Sequence, residues 1–408
     1  MESEKIILKT TSYCVNIAGN KVDSLRSKQD LQTVVRVYDG QNVGIAGAIG
    51  ETDEDALYRA AEQKLSQNIP YPEMLDENKT RTENTIKTII APEQFVKTCK
   101  QLIARLEKTY PDFIFSNKII LGTKERSYEN SKNTKYSYAG ANCEIALTIK
   151  ARTSANIMDL FYGAVIDSDY DEDKIVSDVG ALLTPYFKRV SLPEEELPVI
   201  IDYSFAQHAL IDIIAEKFMS GASIFAGKLG QKVFDEKINL LVDRSPENKF
   251  CTPFFDTEGT TLPEDKFYFI RNGVLEALNT YKRSAASFGL PVSGCARSEF
   301  DSAPSFGFEG IKFALTTDSL KDLVKGKAIY VCVTSGGDMT PDGDVGLPVM
   351  LAYLYEDGKL IATLPEFSIS GNIFDLFGKD FLGFARNDIF GVTEEHVAVA
   401  KFKINRQN

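Results

Sequence analysis

The sequence predicts an α+β protein. It divides into a small N-terminal α/β domain (1–85), a middle α/β segment (86–190) and a large C-terminal domain (191–408) that is mainly antiparallel β and barrel-like. Three observations carry this. Short runs of β-forming residues separated by glycine turns recur at both ends of the chain. Helical periodicity interrupts them in the first half. A polar, proline-punctuated stretch, NIPYPEMLDENKTRTENT (68–85), reads as a linker between the first segment and the second.

In order, residues 10–50 offer two or three alternating strands, with turns at the AGN and DG tripeptide and dipeptide, and Asp39-Gly40 supplies the positive-φ corner. A helix follows, in which Thr52 is placed to cap with Asp55 three residues on. Its apolar stripe is Ala56, Leu57, Ala60, Ala61 and Leu65. The second segment opens with a helix from Pro92, with Phe95, Cys99, Leu102, Ile103 and Leu106 on one face. Strands are expected at 112–123 and 143–153, with the polar run RSYENSKNTKYSYAG (126–140) between them. The acidic DSDYDED (167–173) lacks the glycine and terminal glutamate spacing of a calcium loop. It reads as the solvated start of a helix carrying Ile175, Val179, Leu182 and Leu183. Beyond VSLPEEELPVIID (190–202), the strings KINLLVD, KFYFIRNGVLEAL, AIYVCVTSGG and VMLAYLYEDGKLIATL are strands with NG, GG and DG turns.

Composition excludes several classes. The 408 residues are 43% hydrophobic and 25% charged, which are globular values that can fill two or three cores. No run reaches the ~18 apolar residues of a membrane span, and Met-Glu-Ser-Glu-Lys is no secretory leader, so the expected location is the cytoplasm with no membrane partner. A formal charge of −12 gives no concentrated cationic surface for nucleic acid. Six scattered cysteines, without CxxC spacing, read as buried thiols; Cys295 in VSGCARS has no neighbouring histidine to activate it.

The chemically suggestive stretch is FAQHALIDIIAEKFMSGASIFAGKLGQKVF (205–234). A zinc peptidase places two imidazoles one turn apart on a helix, with a carboxylate beside them to deprotonate bound water. Here only His208 is present; Asp212 could ligate, and the other histidine, His396, lies far away near the C-terminus. Two groups leave zinc short of ligands, so the reading is a core helix burying Leu210, Ile213, Ile214 and Phe218. SGGDMTPDGDVG (335–346) and FAGKLGQ lack both dinucleotide and P-loop order, and there is no GxSxG elbow.

Residues 221–298 resemble the TldD/PmbA family, also known as modulators of DNA gyrase, over several motifs in order. These are Gly227-Lys228-Leu229-Gly230, Asp256-Thr257-Glu258-Gly259, Asn272-Gly273-Val274-Leu275, Tyr281 with Ser284-Ala285, Ser293-Gly294 and Arg297-Ser298. The strands VVRVYDGQNVGIAGAIG and the late YEDGKLIATLPEFSISGNIFDLF are similar to the family as well. The resemblance implies that a His-Glu-x-x-x-His helix of TldD-type chains falls on Ala206, Gln207 and Ile211, none of which can bind zinc or act as a base. The third ligand, a cysteine, has no counterpart in FARNDIFGVTEEHVAV. By resemblance this is the TldE/PmbA pattern. It implies a subunit with no catalytic or metal residues of its own, pairing with a TldD-type subunit that carries the zinc of a heteromeric peptidase for unfolded peptides. Gly227, Gly230, Asp256, Glu258, Gly259, Ser293 and Gly294 are then candidates for structural or peptide-channel positions. Two other readings stay open at this point: an independent protein-binding regulator, and a self-sufficient hydrolase with an unrecognised site.

Overall fold

The structure is a computed structural model that describes residues 1–246, 252–392 and 396–406; the side chains of Ser204, Gln207, His208 and Ala209 also lie outside the described residues. Strand β1 (Glu2–Ala18) pairs with β2 (Lys21–Tyr38) through a turn in which Gly19 and Asn20 both have positive φ. That is the hairpin geometry that matches strand twist. Gly40, at φ 95°, turns the chain into β3 (Asn42–Ile49). Helix α1 (Glu54–Lys64) then lays Leu57 and Ala61 on Val35, Val37 and Ala46. Its cap is Asp53, not Thr52: an Asp53 carboxylate oxygen accepts from the N–H of Asp55 (3.0 Å) and Ala56 (3.3 Å).

The next elements are β4 (Ile69–Pro70), β5 (Thr80–Asn84), α2 (Pro92–Thr109), β6 (Phe113–Asn130), β7 (Lys135–Ala151), β8 (Leu160–Ile166) and α3 (Glu172–Leu183). One eight-stranded sheet runs β4-β3-β2-β1-β6-β7, and the outer edge of β7 is shared by β5, parallel, and β8, antiparallel. Two expectations give way here. The stretch 68–85 contributes two short strands, and the polar run 126–140 lies mostly inside the β6–β7 hairpin. The reason is alternation: Tyr128, Tyr136 and Tyr138 are buried on one face while polar neighbours occupy the other. Helix α2 buries all five residues of its predicted stripe, and Asp171 caps α3 through the Lys174 N–H (3.1 Å).

Beyond α3 come β9 (Val199–Asp202), α4 (Ala215–Met219), β10 (Leu240–Asp243), β11 (Lys266–Arg271), β12 (Val274–Leu275), α5 (Lys282–Phe288), β13 (Ala296–Arg297), β14 (Ser305–Phe306) and β15 (Ile311–Phe313). They are followed by β16 (Lys327–Thr334), β17 (Asp338–Met339), β18 (Asp344–Glu356), β19 (Lys359–Thr363), β20 (Phe367–Asn372), β21 (Phe381–Arg386), β22 (His396–Ala400) and β23 (Lys403–Arg406). A four-stranded sheet is ordered β12-β11-β10-β15, and β13 pairs with β14. The largest sheet has nine strands, ordered β21-β22-β9-β16-β18-β20-β23 with β17 and β19 also on β18; every pairing in it is antiparallel except β9 with β16. The α+β class holds, but the barrel does not. The path ends on β21 and β23, which do not pair with each other, so the sheet is open.

The physical reason lies in its two faces. Ile200, Tyr330, Tyr353, Val397 and Val399 pack into the core shared with α2, α3 and the eight-stranded sheet. Their neighbours Ile201, Val331, Ala352, Ala398 and Ala400 pack into a second core with the four-stranded sheet. A sheet buried on both sides by separate layers has no lumen to close around. Among the described residues no helix is long and apolar enough to cross a membrane.

Candidate functional site

The segment expected to be an apolar helix, in the place that the resemblance gives to the metal helix, winds from Tyr203 to Ile213 as 3₁₀ turns, and only Ala215–Met219 is α-helical. It begins directly off β9, and its apolar residues set its orientation: Phe205, Ala206, Leu210, Ile213 and Ile214 are buried, while Ile211 is 50% exposed. Gln207 and His208 lie outside the described side chains. Asp212 is fully buried; its Oδ1 accepts from the Ile224 N–H (3.0 Å) and pairs with Lys217 Nζ (2.8 Å), while Oδ2 is buried without a hydrogen-bond partner among the described residues. It thus anchors the following turn. His396 meets the Tyr203 ring edge-on at 5.9 Å.

These residues do not fit a zinc ion. Ala206 presents a methyl group sealed in the core and Ile211 a hydrocarbon chain, and neither has a lone pair to donate. Among the described residues no three His, Cys, Asp or Glu stand together as metal ligands. Cys295 is buried, and burial pushes its thiol up to about 12, which disfavours the thiolate.

Downstream, Ser223 ties the turn together. Its hydroxyl donates to the Asp212 carbonyl (2.6 Å) and accepts from the Phe225 N–H (2.9 Å). Gly227 and Gly230 are exposed at φ 73° and 79°, and the Gly230 N–H bonds Leu275 O (2.7 Å), fixing the turn to β12. Lys228 Nζ lies 3.8 Å from the centroid of the Phe374 ring.

The densest polar constellation lies elsewhere, where the loop Asp256–Gly259 meets the eight-stranded sheet. Asp256 is fully buried. One of its oxygens accepts from the N–H of Glu258 and Thr260 (2.9 Å each), the other from Ala296 (2.9 Å). Glu258, also buried, accepts from the Tyr71 hydroxyl and from the Lys282 N–H (3.0 Å), while Lys282 Nζ donates to the Glu258 carbonyl (2.7 Å). From the sheet, Arg36 donates to Glu4 (2.6 Å), to the Thr257 carbonyl (2.9 Å) and to Ser298 Oγ (2.8 Å). Glu4 also accepts from Tyr38 and Tyr128 (2.9 Å each).

Gly259 sits against Tyr128 so closely that a Cβ would lie 2.3 Å from a ring carbon, and its φ is +68°. Ser293 is buried in its own exchange: its N–H bonds Thr280 Oγ1 (3.0 Å) and its hydroxyl accepts from the Thr280 N–H (3.1 Å). A Cβ on Gly294 would come within 2.8 Å of Leu262.

Electrostatics follow from these contacts. Burial raises the Glu258 carboxyl to about 7, and the neighbouring Asp256 carboxylate pushes the same way. Burial raises Glu4 too, but the Arg36 and Lys282 charges outweigh it and hold Glu4 below its ordinary value. Beside this junction is a cleft of about 340 Å³ that includes Thr10, Gln32, Lys124 and Arg126 of the sheet. There Glu309 pairs with Lys124 and Arg126 (2.8 Å each). Burial opposes its charge, but the Arg126 and Lys124 cations outweigh that and hold its carboxyl far below the usual range.

The sequence singled out Asp256, Glu258, Gly259, Ser293 and Gly294, and the structure brings the first three onto the sheet with Ser293 and Gly294 close behind. It places Gly227 and Gly230 in a separate surface turn. The sheet-side members Glu4, Arg36, Tyr38, Tyr71, Tyr128 and the helix residue Lys282 were missed as a group. One signal was available, an arginine inside the apolar string VVRVY, which must be paired if buried.

The profile of the PmbA/TldA metallopeptidase C-terminal domain matches residues 194–393, and that of PmbA/TldA metallopeptidase domain 1 matches residues 6–67, together more than half of the chain. An uncharacterized protein of Methanocaldococcus jannaschii is 23% identical over 396 residues, 92% of this chain and 90% of its own. A metalloprotease of Archaeoglobus fulgidus is 24% identical over 302 residues, 68% of this chain and 67% of its own. The crystal structure of TldE from Thermococcus kodakarensis superposes with a TM-score of 0.79 at 18% identity, covering 99% of this chain and 97% of that one, so the fold is shared.

Proposed function

This chain belongs to the PmbA/TldD metallopeptidase family, and from that premise we propose that it is the non-catalytic, TldE/PmbA-type subunit of a heteromeric zinc peptidase acting on unfolded peptides. One observation supports the reading: at the positions that by resemblance take the place of the metal motif stand a sealed methyl group at Ala206 and a hydrocarbon at Ile211, and Oδ1 of the nearby Asp212 is held by Ile224 and Lys217. In this reading the zinc and its activated water belong to a TldD-type partner. Asp256, Glu258, Gly259, Ser293 and Gly294 serve the scaffold, because a channel wall must be exposed and these are buried. Gly227 and Gly230, at the surface, are the candidates left for contact with a passing peptide.

The test is to purify this chain alone, a TldD-type subunit alone, and the two co-expressed, then measure zinc content and cleavage of an unfolded peptide. The expected outcome is less than stoichiometric zinc and no cleavage for this chain, with cleavage by the pair well above that by the partner alone. Zinc-dependent cleavage by this chain alone would identify a self-sufficient hydrolase. Partner activity indifferent to its omission would leave an independent regulator. Either result sinks the proposal.

A further inference from the structure

The junction between the Asp256–Gly259 loop and the eight-stranded sheet buries ionisable groups of both signs; beside them Arg126, also buried, donates to the Phe255 carbonyl and is paired with Glu309. Glu4, Asp256 and Glu258 are the buried acids; Arg36 and Lys282 are the buried bases. Arg36 is spent on Glu4, and Asp256 is held by three backbone N–H groups. Lys282 Nζ goes to the Glu258 carbonyl rather than to its carboxylate. Glu258 is left with the Tyr71 hydroxyl and one backbone N–H, and among the described residues no cation bonds its carboxylate. A buried carboxylate without a bonded cation takes a proton instead.

The groups facing it are accounted for from each element. Asp256 lies on its own loop, Glu4 on β1, Arg36 and Tyr38 on β2, and Tyr71 on the segment after β4. Tyr128 comes from β6, and Tyr281, Lys282 and Arg283 from the start of α5. The tyrosines are not a source of charge here: Tyr38, Tyr71 and Tyr128 are pushed up by burial and by the nearby acids.

We propose that this junction is a proton-binding device: Glu258, buried and bonded only by neutral donors among the described residues, holds a proton in the folded chain, and losing it loosens the hold of the loop on the eight-stranded sheet. The device is independent of the proposed peptidase role. The sign follows from linkage. The carboxyl lies at about 7 in the folded chain against 4.5 in the open, so the folded chain binds the extra proton. Stability therefore falls as pH rises from the lower value through the upper one, and levels off beyond it.

Denaturant unfolding of the full chain tests this. Between about pH 5.5 and pH 8.5 the folding equilibrium constant is expected to drop by roughly tenfold or more through this carboxyl. Glu258→Gln should remove that drop, and Asp256→Asn should shift it to lower pH by deleting the like charge. An identical slope in Glu258→Gln and the wild type overturns the proposal. Should the variants fail to fold, infrared difference spectra of the wild type decide it. An un-ionised buried carboxyl present near pH 5.5 and lost near pH 8.5 supports the device. Its absence at the lower pH sinks it.

Discussion

Gly259 shows what a single residue does here. Its backbone takes a left-handed conformation that side chains disfavour, and the space where a Cβ would sit belongs to Tyr128. Gly259→Ala is therefore expected to destabilise by about 3 kcal/mol, strain and overpacking together, measured by denaturant unfolding. Gly227→Ala is the control, since its φ is similar but nothing lies within reach of a Cβ, and about 1 kcal/mol is expected there. At this scale the sequence was half legible. Asp256 and Glu258 belong to one motif of the family resemblance and are picked out together through it. Their counterparts Tyr71 and Lys282, and Arg36 with Glu4, arrive from distant segments, and no local spacing announces a pairing of that kind.

Among the elements, legibility followed periodicity. Helix α2 shows the five residues of its predicted stripe at helical spacing, and all five are buried. The β6–β7 hairpin was misread because its tyrosines alternate with lysine, serine and asparagine, so that mean polarity hid a strand. The opposite error befell Tyr203–Ile213, where an apolar run looked helical but β9 and the anchored Asp212 hold its ends, and the chain winds more tightly. Helix α1 offers a test of capping. Asp53→Ala should cost about 1 kcal/mol in thermal or chemical unfolding, and Thr52→Ala a few tenths at most, because the helix N–H groups bond Asp53.

For the whole molecule, the layered order matters more than any one sheet. The open nine-stranded sheet is covered on both faces, and the strands' alternation records which core each residue joins. The sequence supplied the antiparallel strands but not their closure, since edge-to-edge pairing depends on residues far apart. Holding the layers together through Arg36 has a measurable consequence. Arg36→Ala leaves Glu4 buried without its cation and is expected to cost about 3–5 kcal/mol, with faster hydrogen exchange in β1 and β2. Adding Glu4→Gln should recover part of that loss.

One strand carries a consequence for biosynthesis. β9 lies between β16 and β22, so its two hydrogen-bonded neighbours come from residues 327–334 and 396–400. As the chain emerges from the ribosome, a short apolar segment must wait through roughly 200 further residues before its second edge is covered. During that interval Val199, Ile200 and Ile201 offer a sticky template to other nascent chains. Chaperone demand should therefore concentrate on this stretch rather than on the quickly completed β1–β2 hairpin.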